Sequence, residues 1–172
     1  ISCNGGTTTV TVSASGGTAP YTGDGSFTVG AGSYSYTVSD ANGCSAVTGI
    51  TVSEPSALSA SSSAGTISCN GGSTTATVSA SGGTTPYTGT GSFTVGAGTH
   101  SYTVTDANGC TSNGTTTITE PPVLNLNIAS TNVSCNAGSN GTATASATGG
   151  TGTITYSWSP TGGSAASASG LS

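Results

Sequence analysis

Hydrophobic and polar residues alternate along most of this chain. Val10, Val12 and Ala14 are separated by hydroxyl residues, and the segments 34–38 and 50–52 repeat the scheme. An alternation of period two places the apolar side chains on one face of a β-strand and the polar ones on the other. No segment has the period of an amphipathic helix. The pattern therefore predicts a chain of short, half-buried strands.

Clusters of Gly, Asn, Asp and Pro, the residues that form turns, lie between these runs. They interrupt the strands about every eight to twelve residues, a spacing typical of antiparallel β-sandwiches. We therefore predict an all-β fold of tandem small antiparallel β-sandwiches of the immunoglobulin-like type. A smaller β-barrel is the alternative.

The chain repeats itself with a period of 66 residues. Cys69 follows Cys3 by this interval, Cys135 follows Cys69, and Cys110 follows Cys44. The motifs around the cysteines recur in the same order, so one module is written about two and a half times. A fixed period of this size indicates an array of small structural units.

A Glu-Pro pair, at 54–55 and again at 120–121, separates the copies. Proline fixes its own φ and keeps the preceding residue extended, so we expect a short, stiff connector at each pair. The predicted domains are the first repeat without its first strand, the complete second repeat, and the third repeat without its C-terminal part: 1–55, 56–121 and 122–172.

The motif Asp-Ala-Asn-Gly-Cys occurs at 40–44 and at 106–110. We interpret it as a hairpin turn in which the aspartate accepts hydrogen bonds from backbone amides and the glycine takes a positive φ. The motif lacks the third carboxylate and the distal glutamate of a calcium loop, so turn chemistry is the favoured interpretation.

The cysteines predict disulfide bonds, because a unit of this size buries too small a core to leave a wide margin of stability. We predict the pairs Cys3–Cys44 and Cys69–Cys110, with the partner of Cys135 outside the chain. Each bond would close a loop of about 40 residues and add roughly 4 kcal/mol on the chain-entropy model. Zinc is the weaker alternative, since no Cys-x-x-Cys pair is present. Disulfides indicate an extracellular location.

Charge excludes several classes of function. The 172 residues include no Lys or Arg and five acidic residues, giving a net charge of −5. Without cationic side chains the chain cannot neutralise phosphates, which excludes nucleic acid binding and attraction to anionic lipid headgroups. No apolar run is long enough for a membrane helix, so we expect no membrane insertion.

We predict no catalytic, cofactor or metal site, and no enzymatic activity. His100 is the only side chain that titrates near neutral pH, and Tyr34 occupies the same position in the first repeat. A half-buried strand position is therefore the favoured interpretation of His100. No base is available to activate any of the many serines.

The order of motifs resembles the SprB-type repeats of large secreted surface adhesins of gliding Bacteroidota. The resemblance depends on the segments 1–6, 14–21, 36–44 and 54–55 and on their counterparts in the second copy. The third copy, with Tyr156 and Trp158 in one strand, is most similar to the common form of the family. The resemblance implies type IX secretion, a cell-surface location and a place on long filaments that act in gliding.

The sequence thus predicts a structural and adhesive repeat region of an extracellular filament or stalk. Its expected partners are neighbouring repeats and identical chains in a fibre, because uncharged edge strands invite pairing with other strands. A surface polysaccharide or an abiotic surface is the external candidate. The alternative is a glycan-binding or ice-binding module that uses the threonine-rich outer faces, as at 7–11 and 115–119.

Overall fold

The structure, a computed structural model, describes residues 1–159 and 163–172. Within these residues the chain forms β-strands and no helix. The predicted all-β class is therefore confirmed. The strands are β1 (Thr8–Val12), β2 (Gly25–Val29), β3 (Gly32–Ser39), β4 (Ser45–Val52), β5 (Ser59–Ala64), β6 (Thr74–Ser81), β7 (Gly91–Val95), β8 (Gly98–Thr105), β9 (Thr111–Ile118), β10 (Asn125–Thr131), β11 (Gly141–Thr148) and β12 (Ser167–Leu171).

The strands form small sheets in the orders β1-β2, β3-β4, β5-β6-β7, β8-β9 and β10-β11-β12. The pairing is antiparallel; for example, Val10 lies opposite Phe27 in β1-β2, and Tyr36 lies opposite Thr48 in β3-β4. The first strand of the predicted second repeat, β5, lies beside β6, and β10 lies beside β11 in the third.

Two sheets of the first repeat pack face to face. Val10 and Val12 of β1 and Val38 of β3 are buried together. Between the sheets, the ring centroids of Phe27 and Tyr36 are 4.8 Å apart. Val10, Val12 and Val38 are residues that the period-two pattern assigned to the inner face, whereas Ile50, which the same pattern placed there, is 44% exposed. The arrangement agrees with a small β-sandwich, in which two inner faces share one apolar layer.

The chain divides into two compact units. Unit 1 comprises Ile1–Ser63, Thr77–Ser92 and Ser101–Thr115; unit 2 comprises Ala64–Ala76, Phe93–His100 and Thr116–Ser172. Val78 and Val104 are buried in unit 1, whereas Ile67 and Ile118 are buried in unit 2. The predicted boundaries of the repeats at 55 and 121 remain a prediction.

Candidate functional site: the junction between successive repeats

The first Asp-Ala-Asn-Gly-Cys segment forms the predicted turn. Asp40 Oδ1 accepts hydrogen bonds from the backbone N–H groups of Asn42 and Cys44, at 2.9 and 2.8 Å. Asp40 Oδ2 accepts one from Thr18 at 3.0 Å, and Gly43 has a φ of 82°. Backbone donors therefore occupy both carboxylate oxygens, which supports turn chemistry over a calcium loop.

The second segment repeats this geometry in a more buried setting. Asp106, only 5% exposed, accepts hydrogen bonds from the backbone N–H groups of Thr84, Asn108 and Cys110. Burial raises the pKa of Asp106, but these donors outweigh the desolvation and leave the pKa below its ordinary value. The N–H of Thr18, followed by that of Cys44, likewise lowers the pKa of Asp40.

The Glu-Pro pair is anchored to the turn that begins its own repeat. Glu54 Oε1 accepts a hydrogen bond from Asn4 Nδ2 at 3.0 Å, and Glu54 Oε2 accepts one from the Gly5 N–H at 2.6 Å. In the second repeat the Gly71 N–H donates to Glu120 Oε2 at 2.6 Å. The Glu-Pro carboxylates therefore close the repeat by joining its end to its beginning.

Adjacent residues of the first connector bond to different repeats. The carbonyl of Pro55 accepts from Asn4 Nδ2 in the first repeat at 3.1 Å, and the carbonyl of Ser56 accepts from the Gly83 N–H in the second at 2.8 Å. Fixing two consecutive peptide units in this way leaves the connector little freedom to bend.

The second connector has the same two bonds. Pro121 accepts from Asn70 Nδ2 at 3.0 Å, and Pro122 accepts from the Gly150 N–H at 2.9 Å. The junction is therefore a repeated structural element, observed once in unit 1 and once in unit 2.

A disulfide bond crosses the first junction. Cys3, in the turn that begins the first repeat, is bonded to Cys110, in the hairpin turn of the second, with Cα atoms 5.8 Å apart. Asn108 Nδ2 also donates to the carbonyl of Ser2 at 3.0 Å. The bond joins two successive repeats and lies wholly within unit 1.

The predicted pairs within repeats, Cys3–Cys44 and Cys69–Cys110, are wrong in this structure. Cys44 and Cys69 are free, exposed thiols, as is Cys135, whose predicted partner lies beyond the sequence. The physical reason lies in the strand order. Cys3 precedes β1, whereas the turn of Cys44 bonds to Thr18 beyond the other end of β1. Strand β1 alone spans roughly 15 Å, and a disulfide requires Cα atoms within about 7 Å.

At the second junction, in unit 2, the counterpart of Ser2 also contacts the next repeat. The Thr151 hydroxyl donates to the carbonyl of Ser68 at 3.1 Å. Ser68 corresponds to Ser2 in the repeat, and Thr151 corresponds to Thr84. Cys69 therefore follows a residue that already contacts the next repeat, just as Cys3 does.

The remaining candidate residues have structural roles. His100 is half-buried, as predicted, with Nε2 3.0 Å from the carbonyl of Gly96, and the Tyr34 hydroxyl donates to Gly30 at the matching place. Among the residues described, no group of three or more His, Cys, Asp or Glu side chains could hold a metal ion. Over the same residues no helix is long and apolar enough to cross a membrane.

The sequence predicted the hairpin turn but not the hydrogen bonds between the Glu-Pro carboxylate and the turn that begins the repeat. One signal was available: Asn4 and Glu54 are separated by 50 residues, as are Asn70 and Glu120. Two motifs that recur at a constant separation in both copies are candidates for direct contact.

Comparison with known proteins supports the family resemblance. The family model of the SprB repeat matches residues 127–163, in the third copy. This is the copy that the sequence identified as most similar to the family. None of the curated proteins or solved structures gives a significant match. Residues 127–163 are thus identified as an SprB repeat, a structural repeat associated with secreted cell-surface proteins.

Proposed function

We propose that the chain is the repeat region of an extracellular stalk or filament of a gliding-type adhesin, in which neighbouring repeats are covalently joined. Its role is mechanical: it carries tension between the cell and the adhesive contact. The SprB repeat in residues 127–163 supports the assignment to a surface adhesin.

The observation that carries this proposal is the bond between Cys3 and Cys110. A disulfide inside a repeat would stabilise only that repeat. A disulfide between repeats provides a second covalent path across the junction, parallel to the connector at Pro55 and Ser56. Tension on the stalk is then borne by the sulfur bridge before the intervening strands must unfold.

Individually weak contacts between the repeats and a surface are sufficient for an adhesive stalk of this kind. Many copies along one filament raise the effective concentration at a surface, so individually feeble contacts can hold a cell in place. The chain carries no cationic side chain, so a polysaccharide or an abiotic surface would be met through hydroxyl groups and apolar contacts.

Single-molecule force spectroscopy of the oxidised chain, held at both ends, tests the mechanical role. The bond encloses a sequence separation of 107 residues. At about 3.5 Å per residue, reduction should therefore release roughly 370 Å of additional contour length. Cys3→Ser should give the full length without reductant, whereas Cys44→Ser should behave as the unmodified chain. An unchanged contour length after reduction contradicts the proposal.

Antibody labelling of intact producing cells tests the location. We expect label on the cell surface, removed together with filaments by shear. Label found only after the cells are broken would contradict an extracellular stalk.

The second candidate is a glycan-binding or ice-binding module. Paired hydroxyls on the sheets favour it: Ser33 Oγ lies 3.1 Å from Thr51 Oγ1, and Thr99 Oγ1 lies 3.1 Å from Thr117 Oγ1. Each such hydroxyl retains hydrogen-bonding capacity for a ligand. Saturable retention on a polysaccharide array, lost in Thr51→Val and Thr117→Val, would favour this candidate over a stalk.

A further inference from the structure

The chain contains six Asn-Gly pairs, which begin at Asn4, Asn42, Asn70, Asn108, Asn113 and Asn140. In such a pair the backbone nitrogen of the glycine can attack the side-chain carbon Cγ of the asparagine, because glycine has no Cβ to obstruct the approach. A bond forms between this nitrogen and Cγ, the bond from Cγ to Nδ2 breaks, and Nδ2 leaves as ammonia with the proton of the glycine N–H. Water then opens the succinimide ring to give aspartate or isoaspartate. Each pair is therefore chemically prone to spontaneous deamidation.

Two of these pairs lie in the turns that begin the first and second repeats. Gly5 and Gly71, the glycines of the two pairs, have φ values of 75° and 74°. Asn4 and Asn70 are exposed, as are both glycines, so water reaches the pairs. Because burial does not protect these bonds, their protection depends on hydrogen bonds.

The Glu-Pro pair of the first repeat holds both reacting groups. The Gly5 N–H, whose nitrogen is the nucleophile, donates to Glu54 Oε2 at 2.6 Å. Asn4 Nδ2, the leaving group, donates to Glu54 Oε1 at 3.0 Å and to the carbonyl of Pro55 at 3.1 Å. A carboxylate that accepts from the Gly5 N–H stabilises the protonated nitrogen and so opposes the loss of its proton. The attack therefore requires these hydrogen bonds to break first.

The second repeat holds the same two groups in the same way. The Gly71 N–H donates to Glu120 Oε2 at 2.6 Å, and Asn70 Nδ2 donates to the carbonyl of Pro121 at 3.0 Å. In both repeats a charged acceptor holds the nucleophile, and the carbonyl of the proline holds the leaving group.

The corresponding turn of the third repeat has alanine in place of the glycine. Asn136 is followed by Ala137, which has a φ of 62°, and the Gly138 N–H closes the turn by donating to the carbonyl of Cys135. No acidic residue follows Glu120 in the sequence, so residues 122–172 supply no carboxylate to this turn. The methyl group of Ala137 obstructs the attack on Asn136. A turn without a carboxylate of its own thus has a residue that disfavours succinimide formation, although its backbone conformation is strained.

We propose that the carboxylate of each Glu-Pro pair protects the Asn-Gly bond of the turn that begins the repeat from succinimide formation. Asn4 and Asn70 are then latent modification sites, which deamidate when Glu54 or Glu120 is lost. This chemical role is additional to the mechanical role proposed above and does not depend on it.

Deamidation at these positions would weaken the junction between repeats. Isoaspartate carries the main chain through its former side chain, so it inserts an additional carbon atom into the backbone. At position 4 this insertion lies directly after Cys3, whose bond to Cys110 joins two repeats. Aspartate or isoaspartate would also place a second negative charge beside Glu54, and like charges at this distance repel.

Incubation of the full chain in mildly alkaline buffer, followed by peptide mass mapping, measures the rate of deamidation at each asparagine. Glu120→Ala should raise the rate at Asn70 by about ten-fold, because loss of a hydrogen bond to a charged group shifts the opening of the turn by this factor. The rate at Asn4 should stay the same. Glu120→Gln, whose side-chain carbonyl still accepts from the Gly71 N–H, should give an intermediate rate. Glu54→Ala should accelerate deamidation at Asn4 and leave Asn70 unchanged.

Asn140 distinguishes local protection from a general loss of stability. It lies in unit 2 with Asn70 and Glu120, but its side-chain amide forms hydrogen bonds with Ser134. More frequent unfolding of unit 2 would accelerate deamidation at both asparagines. Protection by the carboxylate predicts that Glu120→Ala accelerates it at Asn70 alone.

Ala137→Gly provides an independent test, because it creates an Asn-Gly pair in the same type of turn without a Glu-Pro carboxylate. Asn136 of this variant should deamidate about ten-fold faster than Asn70 of the same chain. The substitution also relieves the strain at Ala137. A faster reaction in a turn that has become more stable is the opposite of what a purely structural role predicts.

Three results would overturn the proposal: an unchanged rate at Asn70 in Glu120→Ala, an equal acceleration at Asn140 in that variant, or a rate at Asn136 of Ala137→Gly no higher than that at Asn70. None of these results bears on the mechanical role of the Cys3–Cys110 bond, which force spectroscopy tests separately.

Discussion

Cys3 and Cys110 are bonded across a sequence separation of 107 residues, and the bond joins the first turn of one repeat to the hairpin turn of the next. The cross-link therefore stabilises the junction between repeats. The first and second repeats are each closed by a different device, the hydrogen bonds between the Glu-Pro carboxylate and the opening Asn-Gly turn.

Thiol mapping distinguishes this arrangement from bonds within repeats. Alkylation of the oxidised native chain should modify Cys44, Cys69 and Cys135, and leave Cys3 and Cys110 unmodified. Peptide mass mapping without reduction, with a protease other than trypsin because the chain lacks Lys and Arg, should recover a Cys3 peptide linked to a Cys110 peptide. A Cys69–Cys110 peptide would refute the arrangement.

Loss of the bond should lower stability. On the chain-entropy model, a loop of about 100 residues corresponds to roughly 4 to 5 kcal/mol, so Cys3→Ser should lower the free energy of unfolding by up to this amount. Denaturant unfolding of the oxidised proteins measures the difference. Cys44→Ser is the matched control and should unfold at the same denaturant concentration as the unmodified chain.

Acid should destabilise the two hairpin turns. The pKa values of Asp40 and Asp106 are lowered in the folded chain, so their contribution to stability is complete above the unfolded pKa and is lost as the pH falls through the folded value. We expect the Tm to fall below about pH 4. Asp106→Asn should have a lower Tm at neutral pH and a shallower decline in acid; an unchanged acid profile would argue against this role.

Loss of the hydrogen bonds that anchor the Glu-Pro pair should lower the free energy of unfolding by less than loss of the disulfide bond does. Glu120→Ala removes the carboxylate that accepts from Gly71, and it should lower the free energy of unfolding by about 1 kcal/mol. Asp24→Ala removes the same charge from an exposed position outside the junction, so it is the control. Equal effects of the two substitutions would indicate a general effect of charge.

Ala137 provides a test of backbone strain. It has a φ of 62°, in the turn where the other repeats have Gly5 and Gly71 at 75° and 74°. A left-handed conformation costs a residue with a Cβ about 1 kcal/mol, so Ala137→Gly should stabilise the third repeat by that amount. Gly71→Ala should destabilise the second repeat by a similar amount, since a Cβ there meets no other atom and only the φ changes the energy.

Local chemistry explains what could be predicted at the candidate site. The turn at Asp40 is determined within a few residues, since an aspartate that reaches the amides of Asn42 and Cys44 needs little help from the rest of the chain. The half-buried position of His100 could also be predicted, because Tyr34 occupies the corresponding position of the first repeat. The burial of other single residues could not be predicted in this way: the apolar Phe93 is 39% exposed, since burial depends on neighbours that the pattern does not specify.

The all-β class, the period of 66 residues, the hairpin turns and the resemblance to the SprB repeat could all be derived from the amino-acid sequence. These features depend on residues close together in the chain or on the comparison of one copy with the next. The pairing of the cysteines depends on the folded chain, because the motif Asp-Ala-Asn-Gly-Cys surrounds both candidate partners of Cys3. Cys44 and Cys110 lie in the same turn motif, but β1 separates Cys3 from Cys44, and the junction between the first two repeats brings Cys3 to Cys110.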